Sequence, residues 1–322
     1  MPTPFDELRS DDLQACRNLL HAGSKSFSLA SLLLPKRVRE PAAAVYAFCR
    51  IADDLIDEAQ GGKSAVAELE HRLELIYRRT PLEYPVDRAF TAVVHHYGIP
   101  RQVPAALVEG FAWDVEGRTY ETMEDLQAYA ARVAGTVGVM MTLLMGPRDP
   151  QTLERACDLG VAMQLTNIAR DVGQDARDGR VYLPSSWLRD AGVESEAFLR
   201  DPAFRPEVAM VIRQVLERAE LLYARSDLGI VRLPQDCQPA IRAARLIYSE
   251  IGHELERRGL DSVSQRTVVG KGRKLWLVLR ALLGRAPGER APLLTPYQPL
   301  EETRFLVQAS AHPRPLQLQE AQ

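Results

Sequence analysis

The chain has 322 residues, 46% of them hydrophobic and 26% charged, with a formal net charge of −3. That length buries one large core or two modest ones, and that charge leaves no electrostatic footprint for nucleic acid. Four widely spaced cysteines, Cys16, Cys49, Cys157 and Cys237, form neither a zinc-type pair nor a disulfide framework, so all four are read as reduced.

The N-terminus, Met-Pro-Thr-Pro-Phe-Asp-Glu, lacks the basic start and apolar stretch of a secretory signal, and a cytoplasmic location is expected. Helical periodicity then predicts an all-α protein, with helices near 11–22, 41–58, 64–79, 87–97, 102–115, 123–145, 150–173, 206–225, 238–258 and 273–284. Pro41 suits the first turn of the second of these, and Gly98-Ile99-Pro100, Gly146-Pro147 and Leu233-Pro234 read as breaks. The longest uncharged stretch, Val133 to Pro147, falls short of the roughly 20 apolar residues that a membrane-spanning helix needs. Residues 1–284 are expected to form a single domain, and the Pro-rich residues 285–322 a mobile tail.

Two acidic runs stand out: Asp53-Asp54-Leu55-Ile56-Asp57 and Asn167-Ile168-Ala169-Arg170-Asp171-Val172-Gly173-Gln174-Asp175. Residues four apart on a helix differ by about 40° of rotation and about 6 Å of rise, so Asp53 and Asp57 share a face, as do Asn167, Asp171 and Asp175. A solvated helix face carries such runs too. Here each follows an apolar segment, Ala42 to Cys49 and Val161 to Thr166, which places the acids on helices that are mostly buried, where carboxylates need partners. Arg50 and Arg170 stand beside them, fit either for structural salt bridges or for an anion clamp completed by a divalent cation. The six histidines show no ligand spacing, His95-His96 reads as a surface pair, and there is no glycine-rich strand-to-helix turn for a nicotinamide.

Gly23-Ser24-Lys25-Ser26-Phe27 through Leu34-Pro35, and Tyr46-Ala47-Phe48-Cys49-Arg50-Ile51-Ala52-Asp53-Asp54, open an ordered series of motifs. Tyr129 with Val133 to Gly138, Gln164 to Val172, and Gly179 to Pro184 continue it. Over roughly residues 15 to 280 the chain resembles the squalene/phytoene synthase family, most closely its bacterial phytoene-forming members. The resemblance implies a helical isoprenoid-synthase bundle around a central cavity, and head-to-head condensation of two geranylgeranyl diphosphates to 15-cis-phytoene through prephytoene diphosphate. That is the first committed step of carotenoid synthesis.

By the same resemblance Asp53, Asp57, Asn167, Asp171 and Asp175 hold Mg²⁺, with Mn²⁺ as a substitute, and the four aspartates serve catalysis. Lys25, Ser26, Phe27, Tyr46, Arg50, Tyr129, Val133, Ala134, Val137, Gln164, Arg170, Tyr248 and Arg266 contact substrate. No NADPH is expected. Gln174 stands where the family usually has glutamate, and an amide is the weaker ligand for a hard cation, so Gln174→Glu is expected to lower the Mg²⁺ requirement. Small residues at Val133, Ala134, Val137 and Gly138 suit either a prenyl-chain wall or close helix packing. The apolar product implies transient contact with the cytoplasmic membrane and handover to a phytoene desaturase. Trp276 to Leu283 would suit that contact, or else a bundle-closing helix. A synthase acting on C15 diphosphates and a non-catalytic scaffold of the same fold are the alternatives.

Overall fold

A computed structural model describes residues 10–23, 25–58, 62–284 and 298–311, with the side chains of Asp57 and Glu58 outside that description. Fifteen α-helices are found among the described residues, which contain no strand. They are α1 (Ser10–Gly23), α2 (Lys25–Ser31), α3 (Lys36–Glu58), α4 (Gly62–Tyr77), α5 (Pro85–His96), α6 (Gln102–Val115), α7 (Met123–Ala130) and α8 (Thr136–Met145). After these come α9 (Pro150–Arg177), α10 (Ser185–Asp190), α11 (Ser195–Arg200), α12 (Pro206–Ile230), α13 (Gln238–Arg257), α14 (Lys271–Leu282) and α15 (Arg304–Ser310). The short α2, α10, α11 and α15 are too brief for periodicity to reveal.

Pro41 does not open α3. The helix starts five residues earlier, at Lys36, and carries Pro41 in its interior. The N–H that proline lacks would have reached the Arg37 carbonyl, and the Tyr97 hydroxyl donates to that oxygen instead, at 3.0 Å. Beyond Pro41, Ala42 to Val45 pack with almost no exposed surface.

Helices α7 and α8 are joined without a break by a π-helical turn, Ala131–Gly135. A capping box between Thr122 and Asp125 starts this rod, and Gly146, at φ 111°, ends it. Contrary to the sequence reading, Met123–Met145 is long and apolar enough to cross a membrane by composition, but 67% of its most apolar window is buried inside the bundle. Next to it α9 begins at the Asp149 cap, whose side chain accepts from the Thr152 N–H at 3.0 Å, and runs through the centre of the molecule.

Three apolar clusters surround the cavity. One is built mainly from α1, α3 to α6 and α8 with the start of α9, the second from α7 and α9 to α13, and the smallest from α2, α13 and α14. The expectation of a mobile tail fails over 298–311. Leu300 enters the second cluster while Leu306 and Val307 of α15 enter the first, so this segment is a strap across both. The Pro-rich composition of the tail hid Leu300, Leu306 and Val307. Residues 285–297 and 312–322 of the expected tail lie outside the described residues. His95 is not a plain surface residue either, since its ring bonds the Ile76 carbonyl at 3.0 Å.

Candidate active site

Two adjoining cavities, of about 700 and about 380 Å³, open between α3, α9 and the π-helical turn. Tyr46, Arg50, Asp53, Val133, Gln164 and Asn167 line both. Lys25, Ser26, Phe27, Ala134, Val137, Arg170, Tyr248 and Arg266 line the larger, and Tyr129, Asp171 and Asp175 the smaller. Every site residue named from the sequence is therefore brought to one place, except Asp57, whose side chain lies outside the described residues although its backbone belongs to α3.

The acids are held by arginine. Arg50 bonds Asp54 and reaches Asp53 at 3.5 Å, one and nearly one helical turn along α3. On α9 the Arg170 guanidinium forks onto Asp171 at 2.8 and 2.5 Å, and Arg266 forks onto the same carboxylate at 2.8 and 3.1 Å. Burial alone would raise Asp171, but these two cations keep it below the usual carboxylate range. Asp175 has no such clasp. Burial, followed by the charge of Asp171, pushes its carboxyl up to about 7.

Among the described residues no group of three or more His, Cys, Asp or Glu side chains closes into a metal-binding cluster. The donor set nevertheless fits a hard divalent cation. Asp53 on one side and Asn167, Asp171 and Asp175 on the other are all oxygen donors facing shared space, and a cation there would relieve the cost of ionising Asp175. Gln174, by contrast, is exposed and donates to Asp178 at 2.9 Å, off the ligand face, so the expectation that it tunes metal affinity is corrected.

Cations crowd the other side of the mouth. Lys274, in the first turn of α14, donates to Ser26 at 3.0 Å. Its ammonium is pulled down by burial, then by the charges of Lys25 and Arg170, which makes an anion a favourable neighbour. Lys25, Arg50, Arg170, Arg266 and Lys274 all line the larger cavity. Sequence reading missed Lys274, for which only the basic start of a late helix was a signal.

It also missed Asp114, and it marked Tyr182 and Arg180, which line the smaller cavity, as part of a motif without giving them a role. Asp114, near the end of α6, accepts the hydroxyl protons of both Tyr129 and Tyr182 at 2.8 Å, fixing two rings 5.2 Å apart at the cavity wall. On the opposite side Phe27 stacks on Tyr46 at 5.5 Å. Cys49 lines the cavity too, but burial pushes its thiol up to about 12, which holds it protonated.

Below the mouth the wall turns apolar, with Val133, Ala134, Val137, Met141, Leu159 and Met163 lining the cavity. The small residues there serve packing as well. A Cβ on Gly138 would lie 2.4 Å from the Ala156 carbonyl oxygen, and one on Gly160 2.4 Å from that of Ala134. Backbone contact between α8 and α9 and a lining for the cavity are thus achieved by one stretch of chain.

A family model described as squalene/phytoene synthase matches residues 20–273. A phytoene synthase of Rhodobacter capsulatus is 48% identical over 306 residues, covering 94% of this chain and 90% of that protein. A 15-cis-phytoene synthase of a Paracoccus species is 40% identical, covering 89% and 98%. Among solved structures, a dehydrosqualene synthase in complex with ligand superposes with a TM-score of 0.79 at 32% identity, covering 87% of this chain and 98% of that one. A squalene synthase from Alicyclobacillus acidocaldarius gives 0.71 at 27% identity, covering 77% and 94%. Motifs, helical architecture and these likenesses agree, and the chain belongs to the squalene/phytoene synthase family.

Proposed function

We propose that this protein joins two geranylgeranyl diphosphates head to head, through prephytoene diphosphate, to give 15-cis-phytoene. One observation carries the reading: the acid-bearing faces of α3 and α9 line one cavity and five cationic side chains line the larger, mostly apolar cavity that adjoins it, with Arg50, Asp53 and Asn167 shared by both. Relatives 48% and 40% identical that bear the name phytoene synthase support it.

Asp53, Asn167, Asp171 and Asp175, with Asp57 by motif, are the residues that would hold Mg²⁺ or Mn²⁺. When bound, the metal would neutralise the charge that develops on a departing diphosphate. Lys25, Arg50, Arg170, Arg266 and Lys274 are placed to take diphosphate oxygens, the arginines exchanging the two oxygens of a carboxylate for two of a phosphate. Departure leaves an allylic cation, the double bond of the second prenyl chain attacks it, and loss of a proton closes the cyclopropane of prephytoene diphosphate. The Tyr46 and Tyr129 rings line this region and offer π faces to such a charge. Val133, Ala134, Val137 and Met141 exclude water, which would quench the cation. Proton loss after the second ionisation, without hydride, completes phytoene, so no NADPH is required.

Purified protein given C15 or C20 diphosphate, with and without NADPH, tests the reading. Phytoene from C20 without reductant is expected, and preferred conversion of C15 to squalene or dehydrosqualene would replace it. Asp53→Asn should fold normally and lose turnover, whereas a scaffold would have no turnover to lose.

The protein is further proposed to work in the cytoplasm as a peripheral visitor to an anionic membrane, where product passes to a desaturase. Leu277, Val278 and Ala281 of α14 pack inward, while Leu275, Trp276, Leu279, Leu282 and Leu283 are exposed beside Lys271, Arg273 and Arg280. An apolar strip rimmed by cations is complementary to acyl chains under acidic headgroups. Co-sedimentation with acidic liposomes should be lost in Trp276→Glu/Leu279→Glu, and retention would exclude this face.

A further inference from the structure

We propose that Arg155, held from behind in a buried ion network with Asp158 and Arg225, closes the inner end of the cavity and sets the longest prenyl chain that the enzyme accepts. The inference rests on the prenyl-diphosphate reading above.

From Asp171 at the charged mouth, α9 runs back to Arg155 over about 24 Å at 1.5 Å per residue. The lining changes along the way, from cations and acids, through Ala156, Leu159 and Met163, to an end where Thr152, Arg155 and Ser226 stand among Met145, Ile230 and Leu233. At that end Arg155 is 4% exposed and pairs with Asp158 at 3.0 Å, and Arg225 pairs with the other oxygen of Asp158 at 3.0 Å. The corner is pinned further by Arg232, which holds both Thr152 and Asp149 at 3.0 Å.

The wall has little room to retreat. A Cβ on Gly229 would meet the Arg155 Cβ at 2.2 Å, so α12 already presses on α9 at this level. A hydrocarbon tail that reached further would have to part Asp158 from a guanidinium, and hydrocarbon replaces neither the charge nor the hydrogen bonds of that pair. An apolar wall of the same size would yield by rotamer change. An ion network resists, which gives a sharper limit on length.

The test compares wild type, Arg155→Met and Ser226→Leu on C15, C20 and C25 allylic diphosphates, by kcat/KM. Arg155→Met keeps the stem and removes the charge, and it should raise the C25:C20 ratio about tenfold, the discrimination that a few carbons in an apolar pocket typically supply. Ser226→Leu leaves the ion network intact and fills the end of the cavity, and it should lower the C20:C15 ratio by a similar factor. If Arg155→Met does not fold, Ser226→Leu decides alone. Unchanged ratios in folded variants, beside a wild type that uses C20, would overturn the end wall and leave the function standing. A wild type inactive on every prenyl diphosphate would remove both.

Discussion

Asp175 is kept close to its neutral form by burial and by the charge of Asp171, with its carboxyl pushed up to about 7 from an ordinary value of 3.8. Below about pH 4 both folded and unfolded chains hold this proton, and the residue costs nothing. Between about 4 and 7 the unfolded chain has released it and the native one has not, so native stability falls as pH rises, with the full cost present above 7. Asp175→Asn should therefore stabilise the metal-free protein by about 2 kcal/mol at pH 8 and hardly at all at pH 4, as read by thermal melts, while abolishing turnover. Equal melting shifts at both pH values would show that the carboxylate ionises freely. One residue earlier, Gln174 points to solvent and bonds Asp178. Gln174→Glu should leave the Mg²⁺ concentration for half-maximal rate unchanged, and should cost about 0.3 kcal/mol from the like charge four residues on. A lowered Mg²⁺ requirement would put this side chain back among the ligands.

At the scale of helices, α8 and the π-helical turn before it meet α9 backbone to backbone because Gly138 and Gly160 present no Cβ. Helix propensity favours Gly160→Ala by about 1 kcal/mol, and packing opposes it, since the added carbon would lie within 3 Å of three backbone atoms of Ala134 and Gly135. Backbone does not give way as a flexible side chain would, so packing wins. The variant should lose about 2 kcal/mol in urea denaturation. It should also weaken substrate binding, because the same π-helical turn carries Val133 and Ala134 to the cavity. A gain in stability would mean that the two helices separate at little cost. Such turns recur where a helix must re-aim side chains at a site.

On the scale of the whole molecule, the strap at 298–311 ties the first apolar cluster to the second. Leu300, Leu306 and Val307 are all buried, and their burial contributes roughly 5 kcal/mol as an upper figure. Arg132, on the π-helical turn, also faces the Phe305 ring at 5.2 Å. Ending the chain at Tyr297 should thus lower the melting temperature by several degrees and raise KM for the prenyl substrate. An unchanged melt would show that the strap rests on the bundle without holding it.

The sequence by itself determined the helical architecture and the two acidic faces, because both are written in short-range patterns, while the other candidate site residues came from the family resemblance. The period of apolar residues marks the long helices, and the spacing of Asp53 and Asp57, and of Asn167, Asp171 and Asp175, puts each acidic set on one face. Tertiary structure decided what depends on partners distant in the chain. Tyr97 lets Pro41 sit inside α3, Arg266 clasps Asp171 from 95 residues away, and Lys274 reaches Ser26 across 248. Asp114 becomes a site residue only when α6 brings it under Tyr129 and Tyr182. Gln174 shows the converse, since its spacing admitted a ligand but the rotation of α9 turns it to water. Local sequence sets which face a residue occupies on its helix, and only packing sets what that face meets.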